Sequence, residues 1–301
     1  MSEPLAISVS GLTRSFGDNQ ALKGIDLTVA AGEIVGLVGP DGAGKTTAIR
    51  AIAGLLDADA GEVSVLGLPP DSAQVREDLG LMPQQHSLYG DLSIAENLNF
   101  FRQLFGISRK VGRERIDRLL GLTRLTAFVD RPAQALSGGM YKKLALACAL
   151  LHEPRVLLLD EPTNGVDPVS RRELWALLGE FVGDGMAVLV STPYMDEAAR
   201  CHRVGLLHEG RMLTMGAPNT MVQEFDHPVF IVLGGAREHV QAIVQTAPEV
   251  RAYSPAGARL RVVVAPDGVP ALTDRLRPLG CTLQPARATF EDLFLAHLAE
   301  A

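Results

Sequence analysis

The chain is short of paired cysteines, long apolar runs and basic charge, and each shortage narrows its reading. Cys148, Cys201 and Cys281 lie far apart with no paired spacing. That pattern suits a reducing cytosol, with each thiol a small core residue. No stretch approaches the ~18 consecutive apolar residues that a membrane-crossing helix needs. The richest, Leu144 to Leu151, is far too short, so a membrane role is expected only through a partner. The N-terminus has no basic segment followed by an apolar core, and no secretion signal is expected. A net charge of -7 gives no long-range pull toward nucleic acid or an anionic membrane surface. What remains is ample for a folded protein. With 301 residues and 47% hydrophobic content, the chain can bury a full core and is expected to form more than one domain.

The most informative stretch is Gly39-Pro40-Asp41-Gly42-Ala43-Gly44-Lys45-Thr46-Thr47, set between an apolar run, Ile34 to Val38, and a helix-like stretch, Ala48 to Leu56. Glycines let successive N–H groups turn inward toward phosphate oxygens, and the following helix adds its positive end. Lys45 is placed to reach the β- and γ-phosphates, and the Thr46 hydroxyl to hold Mg²⁺. Asp41, an acid so near an anion, is expected to point away. Upstream, Ala6 to Val9 and Ile25 to Val29 read as short strands joined by a polar segment, Thr13 to Asn19. Phe16 within it is either an edge-strand residue or a stacking platform for a base.

Downstream, Leu79 to Met82 reads as a strand ending in a polar loop at Gln84. An amide there either orients a water or metal ligand or is simply solvated. Ser93 to Leu151 turns helical, with breaks near Gly106, Gly112 and Arg131-Pro132, and Leu92, Ile94, Leu98, Phe100, Phe101 and Leu104 on one helix face. It ends in Leu136-Ser137-Gly138-Gly139-Met140, where Ser137 suits an N-cap. Adjacent glycines weaken a helix start unless something approaches the backbone closely. Val156 to Leu159 then forms a continuous apolar strand ending in Asp160 and Glu161, the pattern of a parallel strand buried on both faces. Ligands of such sheets bind beyond the strands' C-terminal ends. Asp160 is suited to the Mg²⁺ shell and Glu161 to the attacking water. After a turn at Gly165 to Pro168 and a helix, Arg171 to Phe181, another buried strand, Ala187 to Val190, runs into Ser191-Thr192-Pro193-Tyr194.

In this order the segments resemble the ATP-binding subunits of ABC transporters over roughly Ile7 to Met215. Gly39 to Thr46 is similar to the Walker A motif, Gln84 to the Q-loop glutamine, and Leu136 to Met140 to the signature motif. Val156 to Glu161 is similar to the Walker B motif with its catalytic glutamate, and Gly165 to Asp167 to the D-loop. Phe16 takes the place of the adenine-stacking aromatic. The resemblance implies ATP and Mg²⁺ as ligands, with Thr46, Asp160 and Gln84 around the metal and Glu161, Gln84 and Lys45 as catalytic residues. It also implies head-to-tail dimers, in which Ser137, Gly138 and Gly139 serve the opposite site, and a permease whose coupling helix meets Gln84 to Tyr89.

Two departures stand out. Met140 replaces the usual glutamine of the signature, and Pro193 stands where the family has its switch histidine. Proline supplies neither a side-chain hydrogen-bonding group nor a backbone N–H. Loss of one positioned donor costs roughly 10²–10³ in rate. The site built on this Walker A is therefore expected to bind ATP and hydrolyse it slowly, beside a partner cassette whose histidine is intact. A second position could supply the missing donor, and Tyr194 and His202 are nearby in sequence.

Beyond Gly216-Ala217-Pro218, a strand–helix–strand order occurs twice. Val229 to Leu233, Ala236 to Val244 and Val250 to Tyr253 give the first copy. Arg259 to Val264, Val269 to Leu276 and Cys281 to Leu283 give the second. Such a duplication implies a ferredoxin-like α+β domain. Thr289 with Asp292 then opens a capped helix, and Thr289 to Leu295 resembles the closing motif of daunorubicin-resistance-type efflux ATPases. The expected fold is thus an α/β P-loop ABC ATPase core over residues 1–218. That core has a mixed sheet, a helical subdomain at about 92–151 and a small antiparallel β subdomain, and an α+β domain follows over 219–301. The expected function is the ATPase subunit of an exporter, held at the cytoplasmic face of the membrane by a separate permease, with no nucleic-acid partner. The alternatives are an ATP-binding regulatory module or a soluble ABC ATPase acting on ribosomes or DNA.

Overall fold

The computed structural model describes residues 5–85 and 88–300. Two compact units divide between Met215 and Gly216. The first opens with a long antiparallel hairpin, β1 (Leu5–Phe16) and β2 (Asn19–Ala30). The chain enters the core as β3 (Ile34–Val38), passes the glycine-rich turn into α1 (Lys45–Ile52), and returns as β4 (Ala60–Val65) on the other edge of β1. These outer strands make the small antiparallel sheet, in the order β2-β1-β4.

Next come α2 (Ala73–Asp78), β5 (Leu79–Met82), α3 (Ile94–Leu104), α4 (Arg109–Thr123) and α5 (Gly138–Leu150). The unit closes with β6 (Val156–Asp160), α6 (Pro168–Gly183), β7 (Ala187–Thr192), α7 (Met195–Ala198), β8 (Arg203–His208) and β9 (Arg211–Gly216). The central sheet runs β5-β6-β7-β3-β8-β9 and is parallel from β5 through β8. β3, β6 and β7 are buried at every residue, as apolar runs covered on both faces require. Their C-terminal ends, Val38, Asp160 and Thr192, lie along one edge, and register fixes who meets whom there. Val38 pairs with Thr192 and Asp160 with Ser191.

The polar segment Thr13 to Asn19 is not a loop. Thr13 pairs with Lys23, Arg14 with Leu22 and Phe16 with Asn19. The Asp59 carboxylate makes this possible by accepting from the Ser15 backbone N–H at 2.6 Å and pairing with Arg14 at 3.1 Å. The β1–β2 register is irregular at Thr13 and Ser15, and the Asp59 carboxylate takes up the Ser15 N–H there. Gly112 likewise does not break a helix but lies inside α4. A Cβ there would sit 2.2 Å from Cδ of Arg102 on α3, so the glycine lets the two helices close. Ile94 and Leu98 are buried on α3, whereas Phe100 is 36% and Leu104 64% exposed. Two of the six apolar residues read as one face are therefore turned to the surface. Cys148, Cys201 and Cys281 are all buried free thiols, and burial pushes Cys201 up to about 12.

The second unit holds α8 (Pro218–Gln223), β10 (Val229–Leu233), α9 (Arg237–Thr246), β11 (Val250–Ala256), β12 (Arg259–Val264), α10 (Val269–Leu276), β13 (Thr282–Ala286) and α11 (Phe290–Glu300). Its antiparallel sheet runs β11-β12-β10-β13, the ferredoxin-like order for β-α-β-β-α-β. Val262 and Val264 pack in one apolar cluster with Leu272 and Leu276, and Val263 in another with Ala296. Alternation along β12 thus gives each face its own core. Thr289 and Asp292 form the expected cap of α11. The Asp292 carboxylate accepts from the Thr289 N–H at 2.7 Å, and the Asp292 N–H donates to the Thr289 hydroxyl at 3.4 Å.

Candidate nucleotide site

The glycine-rich turn crosses from the end of β3 to the start of α1, and its glycines are required by contact as well as by conformation. A Cβ on Gly39 would lie 2.1 Å from the Leu207 carbonyl oxygen, and one on Gly44, at φ 106°, would lie 2.6 Å from that of Ala21. The turn is pressed between β2 and β8 and borders a cleft of about 640 Å³. Phe16, Asp41, Gly42, Gly44, Lys45, Thr46, Thr47, Gln84 and Glu161 line that cleft. Pro40 and Ala43 stay in the turn itself. The Pro40 carbonyl accepts from the Ala43 N–H at 3.2 Å, and the Ala43 carbonyl from Gly210 N–H at 3.0 Å.

Lys45 is only 4% exposed. Its ammonium donates to the Gly39 and Pro40 carbonyls at 2.9 and 3.0 Å and stands 3.4 Å from Glu161 Oε1. The Thr46 hydroxyl donates to Asp160 Oδ1 at 3.1 Å, and the Ser191 hydroxyl donates to the same oxygen at 2.6 Å. Thr46 and Asp160 thus present the hard oxygen donors that suit Mg²⁺. Glu161 Oε2 accepts from Gln84 Nε2 at 2.7 Å and from Asn164 Nδ2 at 3.2 Å. Gln84 touches the acid directly, so its amide is oriented and not merely solvated. Glu161 has φ 47°, a left-handed backbone costing a non-glycine residue about 1–2 kcal/mol. Its N–H is held there by the carbonyl and hydroxyl of Ser191, at 3.1 and 3.0 Å. Strain at such a position is typical of functional sites.

Phe16 lies at the tip of β1, 50% exposed, with the Arg14 guanidinium 5.1 Å from its ring centroid. Its exposed position on the cleft favours the stacking alternative over an edge-strand packing role. Asp41 is exposed but lines the cleft and is not set apart from it as expected.

Ser137, Gly138 and Gly139 are not among the cleft's lining residues. Ser137 caps α5 by accepting from the Met140 N–H at 3.3 Å, and Ser137 and Gly138 are exposed. A Cβ on Gly139 would lie 2.4 Å from the Ser170 hydroxyl. The close approach that this glycine serves is within the chain, from the start of α6.

Sequence reasoning passed over Asn164, Lys142 and the β2 residues Asn19, Gln20 and Lys23, the last three of which line the cleft. The Lys142 ammonium donates to the Gln84 carbonyl at 2.9 Å, tying α5 to the Gln84 loop. Burial pulls its pKa below the ordinary lysine value, against the opposing pull of Glu161 and Asp160. His202 is not near the cleft. Its Nδ1 accepts from the Ile34 N–H at 3.0 Å, at the other end of β3, a five-residue strand of roughly 16 Å.

Residues 22–164 match the family described as ABC transporter. Nod factor export ATP-binding protein I of Rhizobium sp. (strain N33) is 35% identical over 295 residues, covering 97% of this chain and 96% of that protein. The chain belongs to the ABC transporter ATP-binding proteins. The probable multidrug ABC transporter ATP-binding protein YbhF of Escherichia coli (strain K12) is 42% identical over 271 residues, 88% of this cassette's chain. The chain spans about half of YbhF's length, 47%. Among solved structures, cbiO1 of Clostridium perfringens, part of a cbiONQ transporter complex, superposes with a TM-score of 0.68 at 28% identity, covering 82% of this chain and 97% of its own. The dimeric bacterial cassette MJ0796 gives 0.65 at 28% identity, covering 70% and 98%. The ABC cassette is an ATP-binding ATPase domain, and no helix among its described residues is long and apolar enough to cross a membrane.

Proposed function

We propose that this cassette drives an exporter, binding ATP and Mg²⁺ at the cytoplasmic face of a membrane through a separate permease, in a pair with a second cassette. The carrying observation is the convergence of Lys45, Thr46, Gln84 and Glu161 on one cleft, with Asp160 bonded to Thr46. Lys45 and the loop N–H groups bind the β- and γ-phosphates, and Phe16 stacks on the adenine. Thr46 and Asp160, together with Gln84, would hold the metal, which would neutralise phosphate charge. Glu161 accepts the proton of the attacking water, and Gln84 orients both. Export is supported by the names of the multidrug and Nod factor relatives. Docking on a permease is supported by the exposed Tyr89, Phe100 and Leu104. Of the expected docking segment, His86 and Ser87 lie outside the described residues.

Pro193 follows β7 directly, where the site needs a donor, and favours a cassette that binds ATP readily and turns it over slowly. The same observation favours the second reading, a regulatory module with little hydrolysis. Turnover and nucleotide binding of the wild type, Glu161→Gln and Pro193→His separate the two. Restored turnover in Pro193→His, roughly 10²-fold over wild type, supports a degenerate motor site. A wild type at full rate, with only Glu161→Gln dead, rejects degeneracy and leaves a plain homodimeric motor. Binding without turnover in all three variants favours the regulatory module.

A further inference from the structure

Pro193 brings no hydrogen to the site, yet the residue after it reaches Glu161 through one intermediary. The Tyr194 hydroxyl lies 3.4 Å from Asn164 Oδ1, and Asn164 Nδ2 lies 3.2 Å from Glu161 Oε2. Chemistry fixes the direction of this chain. An ionised carboxylate only accepts, so Asn164 must turn its NH₂ toward Glu161 and its carbonyl toward Tyr194, which donates into it. An amide flipped by half a turn would set oxygen against the carboxylate. The carboxylate sets the amide's orientation, and the phenol, donating to the amide oxygen, anchors Asn164 at its other end.

Tyr194 is in turn braced on its other faces. Its N–H donates to the Thr192 hydroxyl at 3.1 Å. The Arg171 guanidinium stands 4.4 Å from its ring centroid and 3.4 Å from Glu197 Oε1. Glu197, fully buried, accepts the hydroxyls of Thr163 and Thr192 at 2.6 and 2.7 Å. The turn after β7, the segment after β6 and the start of α6 are therefore latched around one carboxylate, and Tyr194 carries that rigidity toward Glu161.

The geometry points to Tyr194 and Asn164 as positioning residues for Glu161, a donor relay entering the site beside the position where Pro193 supplies none. This rests on the reading of Glu161 as the group that accepts the proton from water. Neither residue touches substrate. Their effect is to hold one carboxylate oxygen with a second donor beside Gln84, leaving its rotation restricted and its remaining lone pairs aimed at the cleft. A purely packing role would leave Tyr194 under Arg171 with its hydroxyl idle.

The test is steady-state ATP turnover of the full chain with Mg²⁺ for the wild type, Tyr194→Phe, Asn164→Ala, the double variant and Glu161→Gln. Phenylalanine keeps the ring under Arg171 and removes only the hydroxyl, so a packing role predicts no change. The relay predicts a kcat loss of about tenfold for Tyr194→Phe, with KM for ATP within about twofold. It also predicts that the double variant is no slower than Asn164→Ala, because both substitutions break one chain. An unchanged kcat in Tyr194→Phe, a loss confined to KM, or additive losses in the double variant would overturn the proposal while leaving Glu161 in its role. A fully active Glu161→Gln would overturn both.

Discussion

Asp292 and Glu161 are both nearly inaccessible carboxylates, and the difference between them is what each is paired with. Glu161 faces a cleft and is shared among Lys45, Gln84 and Asn164. Asp292 faces only its own fold. It accepts from Arg261 Nε at 2.7 Å and from both the N–H and hydroxyl of Thr289 at 2.7 Å. Burial by itself would raise its pKa, but the bonds from Arg261 and Thr289 outweigh burial and hold it below the ordinary carboxylate value. A depressed folded pKa means stability that is complete above the unfolded value, about 4, and is lost as pH falls through the folded one. Replacing Asp292 by Asn leaves the Arg261 guanidinium without its counter-charge. The expected cost at pH 7 is about 3 kcal/mol, the low end for a broken buried pair because Arg261 remains partly exposed. Amide exchange in α11 reads this, through roughly a hundredfold faster exchange in the variant. As pH falls from about 4 the wild type should begin to approach Asp292→Asn, meeting it only below the depressed folded pKa of Asp292. Equal protection at pH 7 would make the pair an ordinary surface contact.

At the scale of elements, α5 has two separable duties at its first turn. Ser137 caps the helix, and its exposed hydroxyl is also the group proposed to face a partner's nucleotide. Substitution separates them. Ser137→Ala should cost about 1 kcal/mol of stability, whereas Ser137→Gly should cost only a few tenths. If both variants lose ATP-driven dimerisation equally, the loss belongs to the trans contact. Dimerisation that follows the thermal stabilities instead would assign Ser137 to capping alone. Gly139 offers no such separation, since any side chain there strikes Ser170. What the sequence made legible was of the same local kind. The glycine spacing of the turn, the apolar runs of β3, β6 and β7, and the repeated order in the second unit all follow from rules within a few residues. The errors arose where a distant segment decides. Asp59 turns Thr13 to Phe16 into strand, Arg102 gives Gly112 its reason inside α4, and the exposed Phe100 and Leu104 lie on a face that α3 does not bury. Ser191 joined the site only through the pairing of β6 with β7, for which a single segment carries no signal, and the link from Tyr194 to Asn164 spans the same two segments.

At the scale of the whole molecule, the first unit separates its nucleotide machinery. Lys45, Thr46 and Glu161 line the cleft, with Asp160 bonded to Thr46, while the start of α5 does not line it. A symmetric pair related by a two-fold axis would bring each chain's α5 to the other's cleft and so make two composite sites. The solved cassette MJ0796, to which the chain is similar, is dimeric. Composite sites predict complementation between variants that are inactive alone. Lys45→Ala disables the cleft of its own chain, and Ser137→Glu places a carboxylate where a phosphate must approach from the partner. In a mixed dimer both lesions fall on one site, and the other site takes its cleft from the Ser137→Glu chain and its α5 from the Lys45→Ala chain, both intact. Random mixing makes half of the dimers mixed, so turnover should return to about a quarter of the wild-type rate. A mixture no more active than either variant alone would mean that each chain completes its site from its own residues.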